Sequence, residues 1–298
     1  MRPARYALLT LAVALAALLS ACRKQADDVV VYKNISYYDG PGRDARKHLL
    51  DLYLPAGEKD FPVVVFVHGG GWRHGYKDGF LNAYYKVGEG LARRGIGVVV
   101  TTYRLAPEFK HPAAAEDVAR AVAWTYRNTG DYGGDPDRVF LCGHSAGAHL
   151  VSLVALDRRF LAAEGLPPEA VRGVVGLSGP YDAAYLAEDD GIPSLFARFY
   201  YVRPTFGDDP AAWPAASAPT YARADAPPFL LLYGEYEVPH MGRQAYRLSG
   251  ALGAWGVDAP AVKVAGKHHG SIIFDIGKEG DATTAWIEAF VKGSSEGQ

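Results

Sequence analysis

Cysteine is nearly absent from this chain of 298 residues, which has only Cys22 and Cys142. Two cysteines exclude a disulfide-stapled scaffold, and Cys142, at the end of an apolar run, reads as an inert core thiol. Charge of one sign is also missing. The 31 Lys and Arg nearly balance 33 Asp and Glu, for a net charge of −2. No basic run is dense enough for a nucleic-acid footprint, so no nucleic-acid partner is expected. Spaced His/Cys/Asp clusters of metal-ligand type are lacking, and the adjacent pair His268-His269 is not one, so neither metal nor other cofactor is expected. Internal repeats are absent, and low complexity is confined to the short tail Gly293–Gln298. What remains is ordinary globular composition, 49% hydrophobic and 21% charged, enough for one large α/β domain with an ample core.

The one long apolar run, Ala7–Leu19, follows Arg2 and Arg5 and ends in Leu19-Ser20-Ala21-Cys22. It is shorter than a comfortable membrane span. A basic start, an apolar middle and small residues at the end describe an export signal over residues 1–22. The last four residues resemble a bacterial lipobox, which implies lipidation of Cys22 and a lipid anchor to the cell envelope. Arg23 at the next position resembles the outer-membrane sorting pattern of Gram-negative lipoproteins. Residues 23–28 would then be a tether, and 29–292 the folded domain.

Val29–Tyr38 and His48–Leu54 read as strands around a polar Gly-Pro-Gly-Arg turn. Phe61–Val67 is a continuous apolar run, the mark of a strand buried on both faces. Helical and strand patterns then alternate: a helix over Leu81–Arg94, a strand over Gly95–Val100, a helix over Ala113–Asn128, and a strand over Asp137–Cys142. After these come a helix over Ala146–Leu156, strands over Val171–Leu177 and Leu230–Tyr233, a helix over Arg243–Trp255, and a last strand over Ala261–Val264. Such alternation predicts right-handed crossovers and a mostly parallel, doubly wound sheet with flanking helices. Tyr181–Tyr221 interrupts it with many aromatics and prolines. It is too long for an ordinary connection and reads as a small cap insertion, an apolar wall over a site.

Between the fourth of these strands and its helix stands Gly143-His144-Ser145-Ala146-Gly147. Strand, Gly-x-Ser-x-Gly and helix form the setting of a nucleophile elbow, in which a sharp turn exposes the serine at the strand's carboxyl end. A serine hydroxyl is a weak nucleophile at neutral pH and needs a base, with an acid to orient that base. With this elbow the chain order is Ser, acid, His, so the partners lie after Ser145. The loop after the last strand offers His268 and His269. His240 fits poorly, and His144 and His149 read as packing or structural histidines. For the acid, the turn after Tyr233 offers Glu235 and Glu237, and the turn after Leu177 offers Asp182. A developing oxyanion needs preorganised N–H donors. His68-Gly69-Gly70-Gly71-Trp72 follows a buried strand, where the oxyanion loop of this fold belongs. Gly70, Gly71 and the N–H of Ala146 are the candidate donors, with His68 a brace for the loop and Trp72 beside the site.

His-Gly-Gly-Gly-Trp, Tyr103-Arg104-Leu105-Ala106-Pro107-Glu108, the Gly-His-Ser-Ala-Gly elbow and the terminal His together resemble the hormone-sensitive-lipase-like esterases of the α/β-hydrolase superfamily. The stretch from Gly234 to Gln244 is more similar to a neighbouring group, the kynurenine formamidases and bifunctional feruloyl/acetyl-xylan esterases. The resemblance spans Val29 to about Val291 and implies the α/β-hydrolase fold. It also implies His269 as the base, since His-Gly-Ser-Ile-Ile resembles the catalytic loops of these esterases. Many relatives have Gly-x-x-Asp where this chain has Gly234-Glu235-Tyr236-Glu237, so the resemblance puts Glu237 at the acid, one methylene longer than usual.

The expected activity is hydrolysis of a small or short-acyl carboxylic ester by Ser145, His269 and Glu237 through an acyl-enzyme, with a small-molecule ester as partner and no cofactor. An aryl formamidase using the same groups is the alternative. A catalytically silent binding protein is a third reading, disfavoured because both nucleophile and base are present.

Overall fold

The computed structural model describes residues 28–79, 83–188, 196–237 and 239–293. The export segment, Cys22, tether residues 23–27, tail residues 294–298 and cap residues 189–195 lie outside these. Among the described residues no helix is long and apolar enough to cross a membrane.

Eight strands form one sheet: β1 (Val29–Ser36), β2 (Leu49–Pro55), β3 (Phe61–Val67), β4 (Gly97–Thr101), β5 (Gly134–His144), β6 (Gly173–Leu177), β7 (Phe229–Gly234) and β8 (Ala261–Val264). Their order is β1-β2-β4-β3-β5-β6-β7-β8. The opening hairpin pairs antiparallel, β2 joins β4 antiparallel, and every pairing from β4 to β8 is parallel. The predicted doubly wound sheet is therefore present.

Strand β3 shows why. All seven of its residues are buried. Val63, Val65 and Val67 enter one core, while Val64 and Phe66 enter the other. A strand with apolar groups at every position has to be covered on both faces, and burying each such side chain stabilises the fold by about 1.5–3 kcal/mol. Helices α2 (Ala113–Asn128), α3 (Ala146–Leu156) and α4 (Pro239–Gly253) cover the first face. Helices α1 (Ala83–Ala92) and α5 (Ala282–Gly293) cover the second. Helix α3 is buried along its whole length, which explains its apolar character all round.

Two bounds differ from the sequence reading by more than two residues. Strand β5 starts at Gly134, because Phe61 still pairs with Gly134 beyond the polar Asp135–Arg138 stretch. Helix α4 starts at Pro239 rather than Arg243. Its first turn carries His240 and Met241, which face a cavity instead of the core that produces the later Ala245, Leu248 and Leu252 periodicity. The strand order reverses between β3 and β5, and the carboxyl ends of β3 and β5 to β8 open onto one rim, where sheets of this kind bind ligands.

Candidate active site

Ser145 stands between β5 and α3 with φ 55° and ψ −121°. A non-glycine residue there carries strain on the order of 1–3 kcal/mol, so its surroundings must enforce it. The flanking glycines do so by permitting close approach. A methyl group on Gly143 would sit 2.3 Å from the Gly147 carbonyl oxygen, and one on Gly147 would sit 2.1 Å from that of Val67. The Ser145 N–H donates to Leu177 O at 2.8 Å, which ties the turn to β6. The serine is half-buried at the cavity wall.

The loop after β3 is equally constrained. Gly70, Gly71 and Trp72 all have positive φ, at 113°, 59° and 60°. A methyl on Gly69 would lie 3.1 Å from Ser145 Cβ, and one on Gly70 would lie 2.1 Å from His74 O. Gly71 and Ala146 line the cavity with Ser145, and Gly70 is set one residue behind. Among the described residues no acceptor takes the N–H of Gly70, Gly71 or Ala146. His68 braces this loop. Its Nδ1–H donates to Gly69 O at 2.7 Å, and its ring stacks on Tyr103 at 4.3 Å. Burial lowers its pKa to about 4, so it is neutral. Tyr103 itself donates to His68 O at 3.1 Å, and Arg104 holds buried Asp117 through two 2.8 Å contacts. The Tyr103–Glu108 segment thus anchors the loop to α2.

At the far side, His269 Nδ1 meets Glu237 Oε1 at 2.7 Å. The imidazole is 39% exposed and the carboxylate 3%. Glu237 Oε2 accepts from Ser178 Oγ at 2.5 Å and from the Gly234 N–H at 3.4 Å. Burial pushes this carboxyl's pKa up. The hydrogen bonds from His269, Ser178 and Gly234 outweigh that effect and hold it below the ordinary glutamate value. An ionised Glu237 only accepts, so the His269 proton resides on Nδ1 and the Nε2 lone pair is available. Lys267, two residues before His269, is fixed by Asp281 at 2.6 Å and Asp275 at 2.8 Å.

The other candidates have different surroundings. Glu235 is exposed and accepts from the Gly266 N–H at 2.9 Å. Asp182 pairs with Arg247 at 2.8 Å, away from the cavity. His268 lines the cavity, but its Nδ1 takes the N–H groups of Gly270 at 3.1 Å and Ser271 at 3.3 Å. His240, which fits poorly from sequence, is buried in the cavity wall. His149 receives Trp72 Nε1–H at 3.1 Å and donates to Ala216 O at 2.7 Å, joining loop, α3 and cap.

The cavity has a volume of about 450 Å³. The cap contributes Leu186, Phe196 and Tyr201, and Trp72 and Met241 complete the apolar walls. A larger groove of about 720 Å³ lies at the opposite, amino ends of β6 to β8, bounded by Arg172, Pro228 and Asp258. It holds none of these groups. Two contacts carried no signal in the sequence. Ser178, which also has positive φ (50°), supports Glu237, and Tyr201 presses on Gly71.

Residues 50–252 match the sequence model of the BD-FAE family. Esterase LipQ of Mycobacterium tuberculosis is 34% identical over 223 residues, covering 72% of this chain and 51% of that protein. Isoprenylcysteine alpha-carbonyl methylesterase ICME of Arabidopsis thaliana is 32% identical over 262 residues, covering 80% and 56%. The chain thus spans about half the length of these curated relatives. Among solved structures, esterase B of Lactobacillus rhamnosis superposes with a TM-score of 0.76 at 23% identity, over 97% of this chain and 96% of that one. With the match covering most of its length, this chain belongs to the BD-FAE family, and its mostly parallel eight-stranded sheet, together with the likeness to the esterase structures, gives it the α/β-hydrolase fold.

Proposed function

We propose that the protein is a serine carboxylic-ester hydrolase for small or short-acyl esters. The observation that carries this reading is the 2.7 Å contact between His269 and buried Glu237 in a cavity that Ser145 also lines. With Nδ1–H committed to Glu237, His269 Nε2 takes the Ser145 proton as Oγ attacks the acyl carbon. The N–H groups of Gly70, Gly71 and Ala146 receive the oxyanion, each such donor being worth about 10²–10³ in rate. The tetrahedral intermediate collapses as His269 returns the proton to the leaving alcohol. Water, deprotonated by the same imidazole, then attacks the acyl-Ser145 ester and releases the acid. A cavity near 450 Å³ with aromatic walls suits a small acyl group and a compact alcohol.

Turnover of p-nitrophenyl acetate, butyrate and octanoate, methyl ferulate and N-formylkynurenine, with Ser145→Ala as control, tests this. Short-ester hydrolysis abolished by the substitution is expected. Activity confined to the formamide would replace the ester reading with an aryl formamidase.

We also propose that the chain is exported and lipid-anchored through Cys22 to the cell envelope, at the outer membrane, on the strength of the Leu19–Cys22 pattern and Arg23. Palmitate incorporation that survives Cys22→Ala would contradict this.

A further inference from the structure

His144 fills the variable position of the elbow and is buried beside the nucleophile. Its Nε2 lies 2.9 Å from the carbonyl oxygen of His269. A carbonyl can only accept, so Nε2 carries the proton and donates it. The two imidazole rings also touch, with centroids 4.7 Å apart. On another side His144 meets the loop after β3, where a methyl on Gly69 would come within 3.1 Å of its Nδ1 and 2.9 Å of its carbonyl oxygen. One ring therefore contacts the loop that carries the base and the loop that carries the oxyanion donors, and its own backbone precedes Ser145.

The base loop needs such support. It follows β8, a four-residue strand at the sheet edge with only Val264 buried, and the His269 ring is more than a third exposed. Glu237 fixes the ring's Nδ1, and the loop backbone is tied just before it, where Lys267 O accepts the Tyr236 N–H at 2.8 Å and His268 O accepts the Ile272 N–H at 3.1 Å. The next carbonyl, that of His269 itself, is the one that faces His144. Burial, reinforced by the nearby His269, lowers the His144 pKa to about 3. The ring therefore keeps one protonation state and one donor direction.

Resting on the reading of Ser145 and His269 as nucleophile and base, we propose that His144 is a positioning residue for the reaction. Its Nε2–H holds the His269 carbonyl and so sets the distance at which the base meets the serine. It neither touches substrate nor exchanges a proton with it.

The test uses three variants of the full chain. In His144→Gln the side-chain amide nitrogen can reach the Nε2 position, whereas in His144→Asn it falls near Nδ1, short of the carbonyl. His144→Ala removes the donor. Turnover of p-nitrophenyl acetate and thermal midpoints are measured for all three. The expected result is kcat within about fivefold of the parent for Gln, a loss of about 10²-fold for Asn and Ala, as for a misplaced catalytic group, and KM little changed throughout. Gln and Asn losing activity equally, or kcat losses that follow the midpoints, would overturn the positioning role, as would three variants with parental kcat. A parent that turns over no ester would instead remove the esterase reading, which the variants do not address.

Discussion

The Ser178 hydroxyl donates to Glu237 Oε2 at 2.5 Å, while the other carboxylate oxygen faces His269. Glu237 is therefore held from both sides, by a serine on β6's terminal turn and by the imidazole it orients. This arrangement compensates for the extra methylene of Glu over Asp. A longer side chain has one more rotatable bond, and the second contact removes that freedom.

Ser178→Ala should leave Oε2 with only the weak Gly234 N–H. We expect kcat/KM for a short ester to fall about tenfold, and unfolding free energy by about 1–3 kcal/mol, the range for a lost hydrogen bond to a charged group. Steady-state kinetics with urea unfolding checks both. Unchanged activity would mean that His269 alone fixes the carboxylate.

Gly71 and Tyr201 form a second dependent pair. A methyl on Gly71 would meet Tyr201 Cε1 at 2.5 Å, and the position has φ 59°. Gly71→Ala should therefore push the cap aromatic outward and strain the donor loop, with a loss of about 10²-fold in kcat if one oxyanion donor is displaced. Adding Tyr201→Ala should recover part of the loss by removing the clash, though not the backbone strain. A double-mutant cycle reads this as positive coupling, and strictly additive effects would contradict it.

Among the described residues, His68, His111, His144 and His149 are held neutral by burial. His68, His111 and His149 have pKa values lowered to about 4, and His144 to about 3. In the unfolded chain each takes a proton near pH 6.5. Between that pH and the folded value the unfolded state binds more protons, so stability falls as pH falls. Each histidine contributes up to about 1.4 kcal/mol per pH unit in that window. Thermal midpoints should drop steadily from pH 6.5 to 4.5, and His144→Gln should make the slope shallower. Glu237, with its pKa held down, contributes in a lower window, below about pH 4.3. Its stabilisation is fully present above that pH and is lost as pH falls through the folded value, so the stability gap between parent and Glu237→Gln should close only there.

Much of the fold was legible because its signals are local. Helices α2 and α3 and strands β3 and β8 have the bounds that apolar periodicity predicts. Gly143, Gly147 and the glycines after His68 were readable as turn and close-approach positions, since only residues without a side chain fit there. Ser178 was not readable, because an isolated serine at a strand end has no pattern and its role comes from a partner 59 positions later. Tyr201 was legible only as one aromatic among many in the cap. His144 read as a structural hydrogen bond, and that the bond reaches the base loop, 125 positions away, is a product of sheet order. Helix α5, closing the second face, had no counterpart in the sequence reading. Its core contacts Ile287, Phe290 and Val291 have helical spacing, but the exposed Trp286 beside them blurs the stripe.

The central claim is that Ser145 is made nucleophilic by His269, which Glu237 orients. The most direct measurement is the second-order rate of fluorophosphonate labelling, with the modified peptide located by mass spectrometry. It would be made on the parent, Ser145→Ala, His269→Ala, His268→Ala and Glu237→Gln. The account predicts a single label on Ser145, none in Ser145→Ala, and near-parental labelling in His268→Ala. It predicts a loss of about 10³-fold or more in His269→Ala and an intermediate loss in Glu237→Gln. Labelling at another residue, or a His269→Ala protein that labels like the parent, would contradict it.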